Sequence, residues 1–303
     1  MNIKKQLYQV LNCPICKQKK FITHGFVNGI HSDLLKLCKL LECENCKHWF
    51  LSKMPKKKVV ESLYKKNSEY VFNKEFISNI KKKNFITKTL KNEKLNTNHW
   101  IFKFMKNYKK GNYLEIGPGN CNLLKTFRKF GWHCEGLELQ KVFKIKGVHT
   151  SEKKISKKNK NILIFHDVLE HVVDPISVLT KFSKQQKTGD KLFLAYPNSS
   201  SFKAQILKTK WNMISPLAHL NFFSIKSTRI LLTKCGYHPY LVKETSFVVL
   251  KKLLRSIIRL PFTFLLDILN LRILCAFKRI PEIILNILDL IKGDQLHVIG
   301  IKK

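Results

Sequence analysis

Residues 111–138 constrain this chain more than any other stretch. Before them, residues 59–108 hold no Gly or Pro. After Gly111 the pattern changes. Tyr113-Leu114-Glu115-Ile116 reads as a short apolar strand and Gly117-Pro118-Gly119 as a tight turn. Residues 122–130 read as an amphipathic helix, Gly131 as its stop, and 132–137 as a second strand ending at Glu138. Strand, glycine turn, helix, strand, acid is a nucleotide-binding βαβ unit. Its glycines let the backbone approach a ligand closely, and the terminal acid is placed for ribose hydroxyls. Asn122 stands where a dinucleotide fingerprint has its last Gly. Glu115, two residues ahead of the first glycine, would repel a pyrophosphate and suits a cationic ligand.

Four of the nine cysteines form two pairs, Cys13-Pro-Ile-Cys16 and Cys43-Glu-Asn-Cys46. A CxxC turn points two thiolates at one metal, and two such turns complete the closed tetrahedral site of structural Zn2+. The 26 residues between the pairs leave room for a two- or three-strand meander. Lys17 and Lys47 sit where many such turns carry Gly. Neither pair opens a helix of a βαβ unit, as a redox motif would. Residues 1–53 are therefore expected to form a small zinc-ribbon-like domain, and 54–110 a linker, starting Met54-Pro55-Lys56-Lys57-Lys58, with a helical connector. The other cysteines (38, 121, 134, 235, 275) read as core or free thiols.

At Glu115-Ile-Gly117-Pro-Gly119-Asn-Cys121 the chain resembles the class I S-adenosylmethionine-dependent methyltransferases, with Cys121 in place of the motif's third glycine. Further segments resemble one large branch of that family: His166-Asp-Val-Leu-Glu-His171-Val-Val-Asp-Pro175, Gly189 to Asn198, and His219-Leu-Asn-Phe-Phe-Ser224. The likeness covers roughly residues 111–245 and 293–303. It implies an α/β fold for 111–303, a Rossmann-like seven-stranded sheet with strand seven antiparallel, and S-adenosylmethionine as cofactor. It assigns Glu115, Gly117, Gly119, Glu138 and His166 to that cofactor. A hydroxyl acceptor needs a proton acceptor, and His171 and His219 are the candidates.

Between expected strands six and seven lies a helical insertion, 246–292. Lys251, Lys252, Arg255 and Arg259 fall on one helical face, with Leu250, Leu253, Leu254, Ile257 and Ile258 opposite. It reads as a lid over an apolar acceptor, a homodimer interface, or an interfacial helix on an anionic membrane. No stretch reads as a spanning helix and the first 13 residues have no long apolar run, so a cytoplasmic protein is expected, peripheral at the membrane in the third case.

The formal charge is +37, but only six of the 57 basic residues are Arg. Lys, Asn, Ile and Phe share A- or T-rich codons, and a surface shaped for phosphate favours the Arg fork. Nucleic acid is thus a weaker expectation than a small-molecule, sugar or glycan, or quinone-like acceptor. An RNA base methyltransferase and a non-catalytic zinc-ribbon interaction protein are the alternatives.

Overall fold

The computed structural model describes residues 7–27, 38–65, 95–139, 145–215, 218–246 and 292–303, with Ile284 and Ile287. The N-terminal strands are β1 (Leu7–Gln9), β2 (Phe21–Phe26), β3 (Lys39–Cys43), β4 (Trp49–Leu51) and β5 (Lys53–Pro55). Helices α1 (Lys57–Lys65) and α2 (Trp100–Met105) follow. Next come β6 (Asn112–Ile116), α3 (Asn122–Lys129), β7 (His133–Leu137), β8 (Val148–His149) and β9 (Ile162–His166). Then α4 (Pro175–Ser183), β10 (Lys191–Pro197), α5 (Phe202–Leu207), β11 (Asn221–Phe222), α6 (Ile225–Lys234), β12 (Tyr237–Thr245) and β13 (Gln295–Lys302) complete the chain.

Seven strands form one sheet in the order β12-β13-β10-β9-β6-β7-β8. Only β13 runs antiparallel to its neighbours, as expected of strand seven. The central strands β9 and β10 are near-continuous apolar runs because both sheet faces are covered. Alternation sorts the side chains. Leu114, Ile116, Leu163, Phe165, Leu192 and Leu194 face one core, and Tyr113, Ile162, Ile164 and Phe193 face the other. Helices α2 and α3 cover the second face through Ile101, Phe102, Leu124 and Phe127. Helices α4 and α6 cover the first through Leu179, Phe182, Leu231 and Leu232. Asp174 caps α4 by accepting from Ser177 N at 3.0 Å, with Pro175 in its first turn.

The cysteine unit shares that first core: Cys13, Cys43, Cys46, Trp49 and Phe50 belong to the same buried cluster as Leu163 and Phe165. Its four-stranded sheet, β11-β4-β3-β2, takes its edge strand from residues 221–222, with Asn221 opposite Phe50 and Phe222 opposite Trp49. Four hydrogen bonds gather at the join. Asn221 bridges His48 Nε2 (3.1 Å) and the Val172 carbonyl (2.7 Å), Ser224 Oγ donates to the Cys46 carbonyl (2.8 Å), and Lys234 Nζ to the Ile15 carbonyl (2.9 Å).

Two expectations are corrected. Met54 and Pro55, read as linker, lie in β5 and pair with Tyr8 and Leu7, so a boundary at Lys53 cuts a strand. The reason is register: β1 closes back on the residues that follow β4. The linker lysines Lys57 and Lys58 open α1. The rest of the helical connector, 66–94, and the insertion from 247 to 283 lie outside the described residues. Both ends of the 246–292 segment are rooted together, since Thr245 pairs with Gln295. Among the described residues no helix is long and apolar enough to cross a membrane.

Asn221→Ala would leave His48 Nε2 and the Val172 carbonyl without this partner inside the core. We expect a loss of about 2–3 kcal/mol and a melting temperature several degrees lower by scanning calorimetry. An unchanged midpoint would show that strand pairing alone carries the join.

Candidate active site

The sheet reverses its winding at β6, which has β7 on one side and β9 on the other. A ligand crevice opens at the carboxyl ends of the strands at such a switch point. Here the loop after β6 holds Gly117 and Gly119, β7 ends beside Glu138, and β9 ends at His166 and Asp167. Gly117 (φ +66°) packs so closely that a Cβ would meet Val168 Cγ2 at 2.7 Å. Gly119 (φ +51°) faces open space. Glu138 closes the loop by accepting from Gly119 N at 3.1 Å. Cys121, at the third position of the motif, is buried and itself left-handed (φ +60°). This is the conformation that favours glycine, and holding a side chain there costs about 1–2 kcal/mol.

Glu115 is buried beneath the loop, and the Tyr113 hydroxyl donates to its Oε2 at 2.5 Å. Burial pushes its carboxyl up to about 7, against that hydrogen bond and the nearby His166. His166 Nδ1 lies 3.0 Å from Asp167 Oδ2. Burial opposes charge on this pair, but their mutual attraction outweighs it, raising the imidazole and lowering the carboxyl.

Register brings in three residues that no sequence motif marked. Ala195 pairs with both His166 and His297, so the two histidines flank a small residue on one sheet face. Trp100 stacks on His297 (ring centroids 4.3 Å, 12° between planes), and His99 lies 5.2 Å from His166. Burial, then the charge on His166, holds both His99 and His297 down at about 4. The only sequence signal was the helical connector expected ahead of residue 111, which holds His99 and Trp100.

His171 and His219, 48 positions apart, come together with ring centroids 4.7 Å apart. His171 Nδ1 donates to the Ala218 carbonyl and His219 Nδ1 to the Met213 carbonyl, each at 2.7 Å. Burial lowers both imidazoles, His171 to about 3. The Leu220 N–H donates to the Glu170 carbonyl at 2.7 Å and clamps the two segments together. Asp167, at the end of β9, makes its charge felt at His166, His171 and His219 alike.

The four paired cysteines also converge. Cys13, Cys16, Cys43 and Cys46 place their sulfurs within 4.8 Å of one another. Each CxxC turn closes with a left-handed lysine, Lys17 (φ +70°) or Lys47 (φ +59°), whose N–H donates to the first cysteine's carbonyl. Backbone N–H groups of Ile15 and Cys16 reach Cys13, and those of Asn45 and Cys46 reach Cys43. The Cys46 hydrogen bond holds the Cys13 thiol low, while burial pushes Cys43 up to about 11. Four crowded sulfurs cannot all ionise without a cation among them.

Residues 91–241 match the family described as a methyltransferase domain. No curated protein matches the chain in sequence. An S-adenosylmethionine-dependent methyltransferase from Archaeoglobus fulgidus aligns at 14% identity and a TM-score of 0.44, over 66% of this chain and 90% of its own. Magnesium protoporphyrin IX methyltransferase from Synechocystis PCC 6803, with bound SAH, aligns at 10% and 0.43, over 67% and 79%. An S-adenosylmethionine-dependent methyltransferase from Mesorhizobium loti aligns at 11% and 0.42, over 64% and 92%.

The two loop glycines should behave differently. Gly119→Ala meets only backbone strain, about 1 kcal/mol, and should fold. Gly117→Ala adds the Val168 clash and should cost about 2 kcal/mol or more. Equal melting temperatures for the two variants would contradict the placement of Val168.

Proposed function

We propose that this chain, an S-adenosylmethionine-dependent methyltransferase of class I, methylates a hydroxyl oxygen on a small-molecule, sugar or glycan, or quinone-like acceptor. The residues at the crevice fit the cofactor. The open space before Gly119 admits a ligand where a side chain would intrude. Glu115, Glu138 and Asp167 gather there in a chain of only 20 acids and net charge +37. That local negative field suits a ligand bearing a sulfonium and an ammonium, and disfavours a pyrophosphate. Glu138 would take the ribose hydroxyls, Glu115 the amino-acid end, and His166 would line the cofactor beside Gly117 and Gly119.

S-adenosylmethionine supplies an already activated methyl group, so the protein's task is alignment and exclusion of water. The observation that carries the hydroxyl reading is the paired His171 and His219. Burial disfavours the charged form of both, and both rings are fixed by Nδ1–H bonds to backbone carbonyls. A neutral imidazole oriented in this way accepts a proton through Nε2. We assign the acceptor's proton to His219 and a supporting role to His171.

Two variants separate cofactor from acceptor functions. Glu138→Ala should weaken S-adenosylmethionine binding by about 2–4 kcal/mol in calorimetry. His219→Ala should bind it as wild type does, but release S-adenosylhomocysteine about 10²–10⁴ times more slowly with sugar, glycan or quinol acceptors. Turnover on RNA, and on none of these acceptors, would overturn the acceptor assignment.

We also assign Zn2+ to Cys13, Cys16, Cys43 and Cys46, in a structural role that leaves no open position. Purified protein should carry one zinc per chain at this site. Because the cysteine unit and the large sheet share one core, removing zinc should lower the main calorimetric transition itself. A separate early transition, with the main one unmoved, would show that the two units are energetically independent.

A further inference from the structure

The pair formed by His171 and His219 has a third member. Glu170 is 1% exposed, and its Oε2 has no hydrogen-bond partner among the described residues. Its Oε1 lies 3.8 Å from His171 Nε2. Ligand atoms of Glu170, His171 and His219 all lie within 4.8 Å of one another. A buried carboxylate with an orphaned oxygen is unfavourable unless a cation or donors meet it. Around it stand two imidazoles whose Nδ1–H groups are already committed to the Ala218 and Met213 carbonyls, so neither Nδ1 donates to the orphaned oxygen. The Asp167 carbonyl and carboxylate, which also bear on the His171 ring, add further negative potential.

We propose that Glu170, His171 and His219 hold a divalent transition-metal cation through one carboxylate and two imidazoles, and that the acceptor's hydroxyl binds this ion. Three arguments support the assignment. Two nitrogens and one oxygen suit Zn2+, Mn2+, Fe2+ or Co2+, whereas Mg2+ and Ca2+ favour all-oxygen shells. Three protein ligands leave positions open for a substrate oxygen, unlike the closed four-cysteine site. An Nδ1–H bond to a backbone carbonyl, present on both rings, is the outer-shell contact that fixes a metal-binding imidazole.

This inference rests on the hydroxyl reading above and changes only how the oxygen is activated. The acceptor oxygen donates a lone pair to the ion, and its O–H proton passes to solvent water. The oxygen then forms the bond to the methyl carbon as the carbon–sulfur bond breaks, and the sulfonium becomes a neutral thioether. No group changes oxidation state.

The test uses the full chain, zinc-loaded at its cysteines and freed of excess metal. Mn2+ is added and its unbound fraction followed by electron paramagnetic resonance, with Co2+ absorption as a second probe. Wild type should take up one ion per chain beyond zinc, and Co2+ should show no thiolate charge-transfer band. Glu170→Gln and His219→Ala should each weaken uptake about 10–100-fold or more. His219→Gln, closer in size, serves if either fails to fold. No uptake by wild type, or uptake unchanged in the variants, overturns the ion site. If no ion binds yet a hydroxyl acceptor is turned over and His219→Ala slows it, the proton-accepting histidine stands alone. If the ion binds but no hydroxyl acceptor is turned over, the acceptor reading fails and the ion site remains.

Discussion

A two-residue strand pairing holds this molecule in one piece. Residues 221–222 complete the small N-terminal sheet, although they lie about 170 positions after its other strands. Two residues make few ladder bonds, so the pairing depends on what surrounds it: the buried His48–Asn221 hydrogen bond, the Ser224–Cys46 contact, and the packing of Tyr196 against Phe223. His48 is fully buried and its Nδ1 has no partner among the described residues, so the Nε2 bond to Asn221 bears on a ring taken wholly out of water. The turn that carries Cys46 therefore also fixes the backbone just after His219.

That arrangement joins two chemistries. Thiolates close together require a cation to be stable, and imidazoles held by backbone carbonyls require a rigid loop. Here the turn that holds Cys46 also anchors residues 221–224, just past His219. His219 is tied to the Met213 carbonyl, and Asn221 and Phe222 to the small sheet. A loop on a small domain attached only by a linker would not fix ring positions to this degree.

Local features were legible in the sequence. The strand, glycine turn, helix and strand of 111–138 form where the apolar pattern puts them, because that unit is built from neighbours in the chain. The two CxxC turns converge as their spacing implies, with Lys17 and Lys47 adopting the left-handed backbone that Gly would otherwise supply. What escaped depends on distant partners. Nothing in Met54-Pro55 announces that Leu7 and Tyr8 will pair with it. His99, Trp100 and His297 meet near His166 only because β13 inserts between β10 and β12. His171 and His219 were each visible as candidates, but their contact, and the burial of Glu170 beside them, belong to the tertiary structure.

The hairpin-like closure of β12 on β13 has an evolutionary consequence. Thr245 and Gln295 face each other across the ladder, so the chain leaves the sheet and rejoins it at a single doorway. Gln295 also donates to Asp167 at 3.4 Å, which sets that doorway beside the crevice. Residues between the two anchors can lengthen, shorten or be exchanged with no change of register in the seven strands, because loop-closure entropy rises only slowly with length. The segment between the anchors can then diverge as an exchangeable cassette while the seven strands and the loop after β6 keep their places.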